Sequence, residues 1–405
     1  MLASLLPAIF VILVGLLFVD LIPLQESMRC VGNYSNATSC PEVYFSQDYF
    51  AARRKFRDAA ASAGAVLQSH PVGGEGLTMD FAVIAGDPKK AVVHMSGTHG
   101  VEGFVGSAIQ TKFMSEWSTL VNSTTEGSPN QAPTVVFVHA VNPFGFANMR
   151  RFNEANVDLN RNHLTAEQWA EAKKRPSNLA GYDNFRSVLV PERAPTLLDR
   201  YLMFGPAAYH LALNGFNALK KALVTGQYHD AVGLYYGGAE QQPSITLLAK
   251  VLPTILNATA DVVVVDVHSG LGPQGVDTFM ATTQEEGDEA KLVWPNATIE
   301  IDGVGDGATS GYELVMGSVD VGLMLPKSKV LHITEEFGTV AGIFVARGVI
   351  LENAAFHYAR GSHVHEITKT WLRDVFYPQN MVFKTNVLSR GTTAVKQAVA
   401  YLRRK

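Results

Sequence analysis

At 405 residues, 47% of them apolar and with a formal net charge of −4, the chain can bury one large α/β core or two ordinary ones. Its basic residues are scattered apart from short runs such as Arg53-Arg54-Lys55 and Arg403-Arg404-Lys405, which excludes the basic stripe of a nucleic-acid-binding protein.

The chain opens with Met1 to Val19, an apolar run without a charge that Asp20 ends. That length sits at the lower limit for a membrane span and exceeds a usual signal-peptide core. No basic n-region precedes it, and Leu21-Ile22-Pro23-Leu24-Gln25 offers no small-x-small cleavage site. Residues 1–24 are therefore read as a hydrophobic anchor or signal, with membrane association expected through residues 1–19; a buried helix is the alternative. Residues 25–44 form a short linker in which Cys30 and Cys40, the two cysteines of the chain, could pair. Asn-x-Ser/Thr sequons at Asn33, Asn36, Asn122, Asn257 and Asn296 agree with a secreted or membrane-anchored protein of the secretory pathway, whereas Arg29 and Arg53 oppose it by the positive-inside tendency.

From residue 45 to 405 the sequence reads as one catalytic domain. Short β-branched runs bounded by turn residues predict strands over Phe81 to Ile84, Ala91 to Met95, Thr134 to Ala140, Asp261 to Val267 and Val330 to Thr334. Helices are expected over Gly103 to Trp117, Ala166 to Lys174, Leu198 to Thr225 and Leu351 to Leu372, and Val121 to Gln131 as a polar loop. This alternation predicts an α/β fold with a mostly parallel sheet covered on both faces, its chemistry at the carboxyl ends of the strands.

Candidate chemistry begins at Ser96-Gly97-Thr98-His99-Gly100-Val101-Glu102-Gly103, where a strand gives way to a helix. A His-x-x-Glu spacing alone means little, since His332 with Glu335 and His363 with Glu366 share it. Residues three apart on a strand face opposite sides, which weakens the 332 pair, and the 363 pair reads as a solvated helix face. At 99 the glycines permit a sharp turn that can aim both side chains at one ion; a capping role is the alternative. The apolar strand through Val262 to Val265 delivers His268 at its end. His99, Glu102 and His268 then make three protein ligands, the number a catalytic Zn2+ takes, one ion per chain. Asp266 shares the side of its strand with His268 and could orient a ligand; a strand-end carboxylate facing solvent is the alternative.

After the strand at 134 come Asn142-Pro143-Phe144-Gly145, Arg150-Arg151 and Asp158-Leu159-Asn160-Arg161-Asn162. Guanidinium groups there suit a substrate carboxylate or a polarised carbonyl; a basic surface loop is the alternative. Arg150 or Arg161 is expected to support a developing oxyanion, and Asn160, Arg161 and Arg151 to bind substrate. In Thr334-Glu335-Glu336-Phe337-Gly338-Thr339, alternation lets one glutamate face the site as general base, and Glu336 is the choice.

In this order the motifs resemble the zinc carboxypeptidase superfamily, which includes the aspartoacylase and succinylglutamate desuccinylase deacylases. Closer still, Ser96 to Ser107, Asn142 to Asn162, Gly226-Gln227-Tyr228 with Gly233 to Gly238, His268 to Gly275 and Glu336 to Thr339 are similar to an uncharacterised carboxypeptidase-like domain family. The resemblance implies a three-layer α/β/α sandwich around a mixed sheet, with zinc on His99, Glu102 and His268. It also implies substrate-carboxylate and oxyanion contacts from Asn160 and Arg161, and Glu336 as the catalytic glutamate. Phe337-Gly338-Thr339 departs from the carboxypeptidase continuation, and the tyrosine of that family has only Tyr312 and Tyr235 as positional candidates. Three functions are carried forward: a metallocarboxypeptidase-like peptidase acting on peptides, a deacylase acting on N-acyl amino acids, and a non-catalytic binding domain.

Overall fold

A computed structural model describes residues 40–117, 132–304 and 311–405. The apolar run at 1–19, Cys30 and the polar loop at 121–131 lie outside the described residues. Cys40 is held in a disulfide, and no described helix is long and apolar enough to cross a membrane.

Eight strands form one sheet in the order β1-β2-β4-β3-β5-β8-β6-β7. They are β1 (Val66–Pro71), β2 (Thr78–Ile84), β3 (Asp87–Ser96), β4 (Pro133–His139), β5 (Asp261–Gly270), β6 (Asp277–Ala281), β7 (Ile299–Ile301) and β8 (Lys329–Gly338). The centre, β4-β3-β5-β8, is parallel, whereas β1, β2 and β6 join antiparallel neighbours. The sheet is mixed, with helices on both faces, as in an α/β/α sandwich.

Alternation along the central strands decides what each face receives. Val263, Val265 and Val267 of β5, with Leu331, Ile333 and Phe337 of β8, pack against the helices Tyr49–Ser62, Gly103–Ser115 and Met381–Arg404. Val262 and Val264 face the opposite way, onto the helix Pro243–Ile255. On that second face the apolar series gives way at the carboxyl end to Asp266 and His268 on β5, and to His332, Thr334 and Glu336 on β8. Register pairs His268 with Glu336, so the ligand candidate and the base candidate lie side by side at the end of the sheet.

Two expected helices are broken. Leu198 to Thr225 divides into Asp199–Leu202, Phe204–Asn214 and Phe216–Val224, the last break falling at Gly215 in the left-handed region (φ 80°). Leu351 to Leu372 divides into Gly342–Tyr358 and His363–Phe376, with Ser362 capping the second at His365 N.

Candidate active site

The loop after β3 turns at Gly97 (φ 68°) and brings His99 and Glu102 beneath the helix Gly103–Ser115. It is stitched to the arginine loop by backbone hydrogen bonds. Asn142 N donates to Gly97 O (2.8 Å), Gly100 N to Arg151 O (3.2 Å) and Val101 N to Arg150 O (2.8 Å). Gly100 packs directly on the backbone of Gly145, leaving no room for a Cβ. The two motifs are thus one backbone unit.

His99, Glu102 and His268, all buried, converge with ligand atoms within 4.8 Å of one another. His99 Nδ1 lies 3.0 Å from His268 Nδ1 and 3.1 Å from Glu102 Oε1, and His268 Nδ1 lies 3.1 Å from Glu102 Oε2. Each imidazole shows a carboxylate to its other nitrogen: His99 Nε2 meets Asp158 Oδ1 at 3.0 Å and His268 Nε2 meets Asp266 Oδ2 at 3.1 Å. With the protons on Nε2, both Nδ1 lone pairs and the Glu102 carboxylate point at one spot. Ligands about 2.1 Å from a tetrahedral ion lie about 3.4 Å apart, so the spacing fits zinc with little adjustment.

Charge gives the same answer. Burial would raise the carboxyl pKa of Glu102, Asp158 and Asp266, yet His99 and His268 hold Glu102 below its ordinary range, Arg151 and His99 hold Asp158, and His268 holds Asp266. These three carboxylates against the Arg151 guanidinium leave two negative charges that neutral imidazoles do not balance, the charge of one divalent cation. Burial would lower the His268 pKa, but Asp266 and Glu102 raise it well above the usual histidine value.

A cavity of about 980 Å³ opens from this centre, lined by Arg151, Asn160, Arg161, Tyr235, Tyr312 and Glu336 among others. Glu336 accepts from Leu271 N at 2.8 Å, and burial followed by the charge of Glu102 raises its pKa to about 7. Glu335 lies on the other face with both carboxylate oxygens buried; burial and then Asp277 push its pKa well above the carboxylate range. The third His-x-x-Glu pair is remote: His363 and Glu366 are exposed, and Glu366 pairs with Lys369.

The arginines divide in a way the sequence did not indicate. Arg151 enters the site, donating from Nε to Asp158 Oδ2 and from Nη1 to Glu102 Oε1, both at 3.1 Å. Arg161 spends Nε and Nη2 on Val224 O and Nη1 on Asn160 O, so two of its five N–H donors remain for a ligand. Asn160 accepts from Val319 N at 2.9 Å. Arg150, expected at the oxyanion, does not line the cavity. It is fully buried over the Phe356 ring (3.1 Å to the centroid), 3.1 Å from Glu352 Oε1 in an ion pair without hydrogen-bond geometry, and donates to Asn156 and Asn353. The two neighbours in sequence part company, Arg151 to the cavity and Arg150 into the core.

The Arg150 pair carries its own prediction. Glu352→Ala strands a buried guanidinium, and the expected loss is about 3–5 kcal/mol of unfolding free energy by chemical denaturation. A loss under about 1 kcal/mol would mean that water reaches the pair.

Sequence reasoning missed Asp158 as the partner of His99, although Asp-Leu-Asn-Arg held it in view; Tyr235 and Tyr312, the two positional candidates for a site tyrosine, both line the cavity.

No curated protein matches the sequence. Among solved structures, the chain is similar to bovine thrombin-activatable fibrinolysis inhibitor in complex with tick carboxypeptidase inhibitor, at 12% identity and a TM-score of 0.48 over 89% of this chain and 99% of that one. A second structure of thrombin-activatable fibrinolysis inhibitor matches at 12% identity and a TM-score of 0.49, covering 96% and 81%. A metallo-carboxypeptidase from Burkholderia cenocepacia matches at 13% identity and a TM-score of 0.41, covering 89% and 70%. A family model described as "Protein of unknown function (DUF2817)" matches residues 45–390, and the chain belongs to that family.

Proposed function

We propose that the protein is a zinc-dependent hydrolase that cleaves an amide bond next to a terminal carboxylate. The observation that carries this reading is the convergence of the two Nδ1 atoms and the Glu102 carboxylate in the wall of a cavity that Glu336 also lines. Bound there, zinc would supply Lewis acidity, acidifying water and polarising a carbonyl.

The chain's own groups do the rest. Glu336, with a pKa near neutrality, takes a proton from the attacking water and returns it to the leaving amine. Arg151 donates to the carbonyl oxygen as it gains charge, the role Arg150 is placed too deep to fill. The two remaining donors of Arg161, with Asn160, hold the substrate carboxylate and so fix the scissile bond against Glu336.

The test is a panel of unblocked peptides, the same peptides amidated at the C-terminus, and N-acyl amino acids, each with and without chelator. Cleavage of free-carboxylate substrates, abolished by chelation and restored by zinc, is the expected result. Equal cleavage of amidated peptides would remove the carboxylate requirement, and activity on N-acyl amino acids alone would make the enzyme a deacylase using the same site.

A further inference from the structure

Tyr235 has the backbone of a residue under constraint. Its φ is 53°, in the left-handed region that bulky side chains avoid, and it is neither a glycine nor an asparagine. The segment around it is clamped: Gln227 N donates to Tyr235 O (3.1 Å), Asp158 N to Tyr236 O (2.7 Å) and Leu234 N to the Tyr182 hydroxyl (2.9 Å). Such outliers persist where surrounding structure over-determines them and cluster where function needs the geometry.

What the conformation achieves is visible on the ring. The Tyr235 face lies 4.6 Å from the Arg151 guanidinium carbon, while Phe152 packs edge-on against the ring at 6.0 Å. Tyr235 also lines the cavity. Arg151 needs a hold of this kind. Its Nη2 lies 2.8 Å from His99 Nε2, but when His99 offers Nδ1 to an ion, Nε2 carries a proton directed at Asp158 and has no lone pair for a second donor. Nη2 and the second N–H of Nη1 are then available to a substrate oxygen, with Nε and one N–H of Nη1 committed to carboxylates and one face of the guanidinium covered by the ring.

We infer that Tyr235 is a positioning residue that holds the Arg151 guanidinium for the carbonyl oxygen of the substrate. This rests on the hydrolase reading above. The aromatic face acts, so Phe should substitute for Tyr; Asn, which tolerates the left-handed backbone, should not.

In the zinc-loaded full chain, Tyr235→Phe is expected to stay within about threefold of wild type, and Tyr235→Asn to lose about thirty- to hundredfold in kcat with KM within about twofold, part of the cost of losing a preorganised oxyanion donor. Zinc content should be unchanged in both. In an Arg151→Ala background, Tyr235→Asn should cost nothing further; an additional loss as large as in the wild-type background would overturn the inference in favour of a purely structural role. Tyr235→Gly, free of the left-handed penalty, takes the place of the Asn variant should that fail to fold. Crystal structures of the zinc forms separate this inference from the reading beneath it. A guanidinium of Arg151 unmoved in Tyr235→Asn overturns the inference even in an active enzyme, and one displaced there but not in Tyr235→Phe supports it even if no substrate is turned over.

Discussion

Glu336→Gln is expected to bind zinc as the wild type does and to lose about three orders of magnitude or more in kcat, the loss of a positioned proton acceptor. The substitution is nearly isosteric, and a glutamine Oε1 can still accept from Leu271 N, so fold and metal site have no reason to change. What disappears is the capacity to take a proton from water and deliver it to the amine. Glu335→Gln is the matched control. Its carboxyl faces the opposite side of the sheet, away from the cavity, so a near-isosteric amide there should leave activity unchanged. The measurement is steady-state kinetics beside metal content for both variants. Full activity in metal-loaded Glu336→Gln would remove Glu336 from the mechanism, whatever the fate of Glu335.

That Glu336 could be chosen over Glu335 from sequence reflects the rigidity of strand periodicity: two residues in succession cannot face one side, and the apolar series Leu331, Ile333, Phe337 fixes which side is core. The same rule placed Asp266 with His268. The five strand candidates coincide with strands, Thr134 to Ala140 running one residue past β4, because buried strands are compact apolar, β-branched runs. The strands with weak signals were passed over: β1 is half exposed, β6 is five residues long and β7 three. Helix breaks at Gly215 and after Tyr358 were lost because an amphipathic pattern continues across a short interruption.

Loops were less legible than strands. Nothing in Arg150-Arg151 says which guanidinium turns inward, since that depends on Glu352 and Phe356, two hundred residues on in a helix that packs beneath the loop. Nor does the sequence reveal that Gly233 to Gly238 folds back onto Asp158; the pairing of Tyr236 O with Asp158 N is a long-range event without a periodic signature. The chemistry of the site was therefore readable where secondary structure imposes direction, and unreadable where tertiary packing alone decides it.

His99→Ala and His268→Ala are expected to abolish zinc retention and with it all hydrolysis. A three-ligand site that loses one imidazole keeps two donors, below what holds an open catalytic zinc. Asp266→Asn sets the scale for a lesser insult, because orienting partners of metal-bound imidazoles typically contribute about ten- to hundredfold in affinity, and the alanine variants should exceed that. Stability offers a second readout that needs no substrate. Without an ion, Glu102, Asp158 and Asp266 remain three buried carboxylates, with Arg151 on the first two and His268 on the third. Chelation of the wild-type protein should therefore lower its melting temperature, and zinc should restore it by mass action. In folded His268→Ala neither chelator nor zinc should move the midpoint. A wild-type protein whose metal content and melting temperature ignore both reagents would show that the centre is balanced without a metal, and the three converging ligands would then be a buried polar network alone.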